Sequence, residues 1–117
     1  MSRATSAFSD DLAEDLREPA LRHHYILESE RIAAIDRVIN QLDELRQREG
    51  LSKADLARAI ERKPETVRRL LTSKLANPQF SVIAELAAVL GYRVTLERMS
   101  KEDRRKIVGS LRTPPAA

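Results

Sequence analysis

From Leu21 the apolar positions run Leu21, Tyr25, Ile32, Ile35, Ile39 and Leu42, alternating steps of four and three with Glu28 as the one polar slot. Val38 and Leu45 widen the stripe into one face of an amphipathic helix. Pro19 opens this helix and Gly50 suits its C-terminal cap. Ser29 can cap a break near Glu28, so the stretch reads as one long helix or two. Its half from Ile32 to Leu45 is expected to pack beneath the elements that follow. Leu21, Tyr25 and Leu27 have less use within the chain and form a candidate surface for a second subunit or another protein.

Shorter periods follow. Ser52 caps a run whose inner face is Leu56, Ala57 and Ile60. Glu61, Arg62 and Lys63 make a turn, and Pro64 opens a helix with its φ already set. Val67, Leu70 and Leu71 lie on one side of that helix at 100° per residue, which turns Glu65, Arg69 and Thr72 outward with Arg68 on the flank. Asn77-Pro78 turns the chain into a helix over 81–90, which buries Ile83, Leu86, Ala87 and Leu90 and stops at Gly91. Upstream, Ser9 with Asp10 and Asp11 predicts a short helix. Downstream the period changes: Tyr92-Arg93-Val94-Thr95-Leu96-Glu97 alternates and reads as a strand, the competing reading being another helix. No other segment reads as a partner strand, so Tyr92, Val94 and Leu96 are expected to pair with a second copy across a two-fold axis, or with an edge strand of a partner. Ser100 and Asp103 resemble a capping box for a basic helix, Lys101–Val108, closed by Gly109.

Apolar residues make up 42% of the 117 residues and aromatics only 3%, so the core must be Leu, Ile, Val and Ala, a composition that favours helices. There is no cysteine, hence no disulfide framework and no thiolate zinc site. The first thirty residues lack the apolar run of a signal peptide, and no window could span a bilayer, so a soluble cytoplasmic protein is expected. The net charge of +3 conceals an asymmetry: residues 1–50 hold 7 Lys and Arg against 11 Asp and Glu, residues 51–117 hold 14 against 7. An acidic front and a basic back imply that only the back half meets a polyanion.

A helix pair with a basic outer face is how a small protein places side chains in the major groove of DNA. Arginine grips guanine O6 and N7 with two bonds, and glutamate accepts from cytosine N4. Glu65, Arg68, Arg69 and Thr72 are thus the candidate base readers. A Glu65–Arg69 pair at i,i+4 competes with this reading but is too weak, when exposed, to hold Arg69 back from a base. Ser52, Lys53, Lys63, Lys74 and Asn77 are placed for phosphates, Lys53 foremost because it opens a helix whose backbone N–H groups face outward; Arg58 is the weakest of the basic candidates.

Gly50-Leu51-Ser52, Leu56-Ala57, Ile60, Thr66-Val67, Leu70, Asn77-Pro78 and Ile83-x-x-Leu86-Ala87-x-x-Leu90-Gly91 together resemble the lambda-repressor/Cro-like, or Xre, helix-turn-helix family. The resemblance implies a mainly α, lambda-repressor-like bundle: residues 1–31 as an N-terminal helical extension, 32–91 as the DNA-binding domain, 92–99 as a dimerisation strand, and 100–117 as a short basic helix and tail. The extension with Tyr25, Glu28 and Glu30, the single helix-turn-helix and the strand after Gly91 are similar to HigA-type antitoxins. That implies a homodimer that binds operator DNA at its own promoter and neutralises a RelE/HigB-like toxin. Four positions depart from the family pattern: Glu61 replaces a turn glycine, Arg62 an apolar residue, Lys63 a Ser/Thr cap, and Leu71 a residue often acidic.

No catalytic constellation, phosphate-binding glycine loop or cofactor motif is present. His23 and His24 point about 100° apart on a helix and make poor joint ligands for a metal. Three readings follow: an antitoxin that regulates its own operon, a stand-alone repressor of phage or mobile-element type, and an interaction module that keeps the fold without specific DNA binding.

Overall fold

The computed structural model describes residues 18–72 and 77–111. Among them are five helices: α1 (Pro19–Arg48), α2 (Lys53–Ala59), α3 (Pro64–Thr72), α4 (Phe80–Val89) and α5 (Lys101–Leu111). Residues 32–96 make one compact unit, and the described flanking residues, 18–31 and 97–111, group into another. The helix expected at Ser9 and the candidate phosphate contact Lys74 lie outside the described residues.

The first amphipathic stripe forms one helix of 30 residues with no break at Ser29; at 1.5 Å per residue it is about 45 Å long. Only Ile39 and Leu42 of its stripe are buried, with Ile35, Val38 and Leu45 packed against the same core. Ile32, expected beneath the bundle, is exposed, as are Leu21, Tyr25 and Leu27. The polar slot, Glu28, is flanked by His24 and Arg31 at 3.7 and 3.6 Å.

The core of the 32–96 unit joins Ile39 and Leu42 to Leu56, Ala57 and Ile60 of the second segment, Val67 and Leu70 of α3, and Val82, Ile83, Leu86, Ala87 and Leu90 of the fourth. Leu56, Val67 and Leu86 are its largest fully enclosed side chains. Ala57 is also completely buried, and its small size lets the neighbouring helix approach. Val82 completes the inner face of α4 as an extra member beyond the four residues its period suggests. Buried polar side chains are absent from the described core, so its contacts are apolar and its specificity comes from shape.

Three helix ends in this unit share one hydrogen-bond pattern. After α1, the Gly50 N–H donates to the Gln47 carbonyl at 3.0 Å and the Leu51 N–H to Arg46 at 3.1 Å. After α4, the Gly91 N–H donates to Ala88 at 3.0 Å and the Tyr92 N–H to Ala87 at 2.8 Å. After α2, the Glu61 N–H donates to Arg58 at 3.2 Å and the Arg62 N–H to Ala57 at 2.8 Å. Each is a Schellman motif, which needs a left-handed residue at its centre. Gly50 and Gly91 supply φ of 68° and 89°, and Glu61 is forced to 56°. The turn thus keeps its geometry although it lacks the glycine, at a cost of ~1–2 kcal/mol. Gly109, expected to close the last helix, instead lies within α5, which runs on to Leu111.

The expected strand is not formed. Residues 92–99 have no hydrogen-bonded secondary structure and are exposed throughout. A strand exists only where a second strand satisfies its donors and acceptors, and the described chain offers none.

Glu61→Gly should remove the left-handed strain, offset in part by the greater freedom of glycine in the unfolded chain. The expected gain is about 1 kcal/mol, seen as a higher urea midpoint at unchanged slope; a lower midpoint would show that Glu61 is not strained.

Candidate nucleic-acid interface

Helix α2 begins with a full capping box. The Ser52 hydroxyl accepts from the Asp55 N–H at 3.0 Å, and the Asp55 carboxylate accepts from the Ser52 N–H at 2.8 Å. Asp55 is also ion-paired with Arg58. The bonds from Ser52, backbone first and then hydroxyl, and the Arg58 guanidinium hold the Asp55 carboxyl below its ordinary value of 3.8. Ser52 is therefore a structural cap whose N–H and hydroxyl are both engaged with Asp55. Lys53 follows it, half-buried and without an ion-pair partner among the described residues.

The turns on either side of α2 are each held by an arginine. Arg46, on α1, donates from Nη1 to the Leu51 carbonyl at 2.8 Å and from Nε to Asp43 at 2.9 Å. Arg62, at a position the family fills with an apolar residue, lies 3.6 Å through Nε from Oε2 of Glu85 on α4. That oxygen is buried and makes no hydrogen bond, so the Arg62 charge is the compensation for its lost water. Neither arrangement follows from hydrophobic period. The signal present in the sequence was only the i,i+3 spacing of Asp43 and Arg46.

Helix α3 sets the outward face. Pro64 starts it, and no side chain caps it, since Lys63 has no acceptor to offer; the Thr66 N–H bonds to the Lys63 carbonyl at 3.0 Å. Val67 and Leu70 are buried and Leu71 is half-buried against the core. Enclosing each of the two buried side chains contributes ~1.5–3 kcal/mol, far more than any exposed ion pair, so burial decides the helix's rotation. Glu65, Arg68, Arg69 and Thr72 are all exposed in consequence.

Their bonding differs from expectation in one respect. Glu65 pairs with Arg68 at i,i+3 rather than with Arg69 at i,i+4. Arg68 Nη2 reaches both carboxylate oxygens, at 2.6 and 2.8 Å, and Nε reaches one at 3.1 Å. The Arg68 bonds, then its charge and that of Arg69, hold the Glu65 carboxyl below its usual range, and Glu65 in turn raises Arg68. Both spacings bring side chains together on a helix, so the sequence could not choose between them. The consequence is that Arg69 has no hydrogen-bond or ion-pair partner among the described residues. Thr72 turns its hydroxyl proton back onto the Arg68 carbonyl at 2.6 Å, leaving only acceptor capacity outward.

Arg69 lines an open groove of about 670 Å3 together with Arg62, Lys63, Glu65, Thr66 and Asn77. Pro78, Gln79, Leu70 and Val82 complete its walls. The structure thus gathers Lys63, Glu65, Arg69 and Asn77 in one concavity between the turn, α3 and the segment before α4. Ser52, Lys53, Arg68 and Thr72 are outside its lining. Gln79 was missed by sequence reasoning, because a polar residue after Asn-Pro carries no periodic signal.

Residues 40–98, just over half of the 117-residue chain, match a family model described as a helix-turn-helix domain, of Xre/Cro-like type. The chain belongs to this family. Its α2–α3 pair is the helix-turn-helix, and the family implies a DNA-binding regulator. No curated protein and no solved structure matches the chain. No described helix is long and apolar enough to cross a membrane.

Because folding lowers the Asp55 carboxyl, its contribution to stability is complete above its ordinary value and is lost as pH falls through the lowered one. Asp55→Asn should therefore be less stable at pH 7 and show a shallower acid transition below pH 3.8, followed by circular dichroism. Parallel acid profiles for the two proteins would contradict the capping role.

Proposed function

We propose that this chain is a sequence-specific DNA-binding repressor whose α3 enters the major groove. The observation that carries this reading is the orientation of α3: Val67 and Leu70 are enclosed while Arg69 stands exposed, without a partner among the described residues. Arg69 is the principal base reader. Glu65 and Arg68 act as a preformed unit in which the carboxylate holds one guanidinium edge and leaves Nη1 for a base or phosphate. Thr72 contributes as an acceptor. Lys53, Lys63, Lys74 and Asn77 contact phosphates and set register, with Ser52 supporting Lys53 through its cap. The protein acts in the cytoplasm as a homodimer. Tyr92, Val94 and Leu96, at every second position and all exposed, supply the apolar face of a strand that pairs with its copy across a two-fold axis.

The antitoxin reading rests on the extension. Residues 1–39 lie outside the family match, and Leu21 and Tyr25 continue the stripe of α1 into solvent. By helical geometry Leu27 is about 120° away from Leu21 and gives a second exposed edge. A partner that covers this surface fits a RelE/HigB-like toxin neutralised by the chain, which then represses the operon encoding both. A stand-alone repressor without a toxin shares the DNA-binding half of this account and needs no partner for the extension.

Binding-site selection from a random duplex pool tests the DNA reading. The recovered site should be two-fold symmetric, with half-sites about 10 base pairs apart; a single asymmetric half-site would overturn the dimer. On that site Arg69→Ala should lose ~1–3 kcal/mol of preference over random DNA, whereas Lys53→Ala should weaken both duplexes equally. Equal losses for Arg69→Ala on both would overturn the base-reading role.

Expression of the adjacent reading frames, alone and with this chain, divides the two biological readings. A neighbour that arrests growth alone and is rescued by co-expression supports the antitoxin. If no neighbour is toxic, that reading fails and the stand-alone repressor stands.

A further inference from the structure

The helix-turn-helix carries less free positive charge than its composition suggests. Residues 51–91 contain 7 Lys and Arg, but Arg58, Arg62 and Arg68 are each paired with a carboxylate. Lys53, Lys63 and Arg69 are the described cations of that stretch without an ion pair, and Arg69 is committed to bases. By contrast, Arg93, Arg98, Lys101, Arg104, Arg105 and Lys106 form no ion pair among the described residues, although Glu97, Glu102 and Asp103 are interspersed with them. On α5 the half-buried Arg104, Ile107 and Val108 share one side. Lys101, Arg105 and Lys106 are exposed along an arc of about 140° that begins beside Val108, with Glu102 between Arg105 and Lys106.

We propose that α5 is a second DNA-contacting element, which binds backbone phosphates through Lys101, Arg105 and Lys106. Charge complementarity selects the occupant: three exposed cations without an ion pair among the described residues, on a chain whose family binds DNA and whose helix-turn-helix has three of its seven Lys and Arg paired with carboxylates. These contacts carry no sequence information; they add affinity and salt dependence.

The inference rests on the DNA-binding reading, and the test separates the two. The probe is a 30-base-pair random-sequence duplex, titrated with full-length protein between 50 and 200 mM salt. Replacing Lys101, Arg105 and Lys106 together by Gln, which keeps helix propensity, should lower the salt slope by about 2.7 per bound chain, at ~0.9 per phosphate lost. The charge-preserving set Lys101→Arg, Arg105→Lys and Lys106→Arg should keep the wild-type slope. Glu102→Gln, which removes the anion within the arc, should tighten binding severalfold. A wild-type slope in the triple Gln variant, or no tightening in Glu102→Gln, overturns the α5 contact while the DNA reading stands. Wild-type protein that binds no duplex overturns both.

Discussion

The insertion of Val67 and Leu70 into a core shared by four helices is the interaction on which the rest of this structure depends. α3 is nine residues long, too short to hold its own rotation by helical hydrogen bonds or surface pairs. Burial fixes it instead. With those two side chains enclosed, helical geometry leaves no freedom in the direction of Glu65, Arg68, Arg69 and Thr72. The same core decides which half of α1 belongs to the bundle, since Ile39 and Leu42 are enclosed and Leu21 and Tyr25 are not.

Polar contacts refine this arrangement at the places where the apolar pattern is interrupted. The turn between α2 and α3 lacks both its glycine and its buried apolar residue. Glu61 adopts the left-handed conformation regardless, and Arg62 is drawn to Glu85 on α4. The backbone bonds of the Schellman motif and the fit of Ile60 and Val67 on either side over-determine the turn, so the local strain is tolerated. On the outer face, the Glu65–Arg68 pair sorts two adjacent arginines into different states, one held and one without a partner among the described residues.

Helices and caps were readable from the sequence where a strong local rule applied. Pro19, Gly50, Ser52, Pro64 and Gly91 marked boundaries because each has a backbone or capping property that few other residues share. The inner faces of α2 and α3 followed from period alone, as did that of α4 apart from Val82. What could not be read lay at the level of side-chain choice or of partners. Arg68 and Arg69 were equally spaced for Glu65 in reach. Ser29 is as compatible with a helix interior as with a cap. Gly109 ends no helix because glycine at that position only weakens α5. Tyr92–Glu97 alternates as a strand does, but alternation states a preference and only a partner's backbone can satisfy it. Arg62 and Glu85 are 23 residues apart, a pairing visible only once the turn is folded.

The orientation of α3 relative to a duplex is tested most directly by amide chemical-shift mapping of the labelled full-length protein as DNA is added. The account predicts that the largest changes fall on residues 52–53, 63–72 and 77–79, while Leu86, Ala87 and the N-terminal half of α1 are unmoved. Changes centred on α4 or on the exposed stripe of α1, with α3 silent, would contradict it.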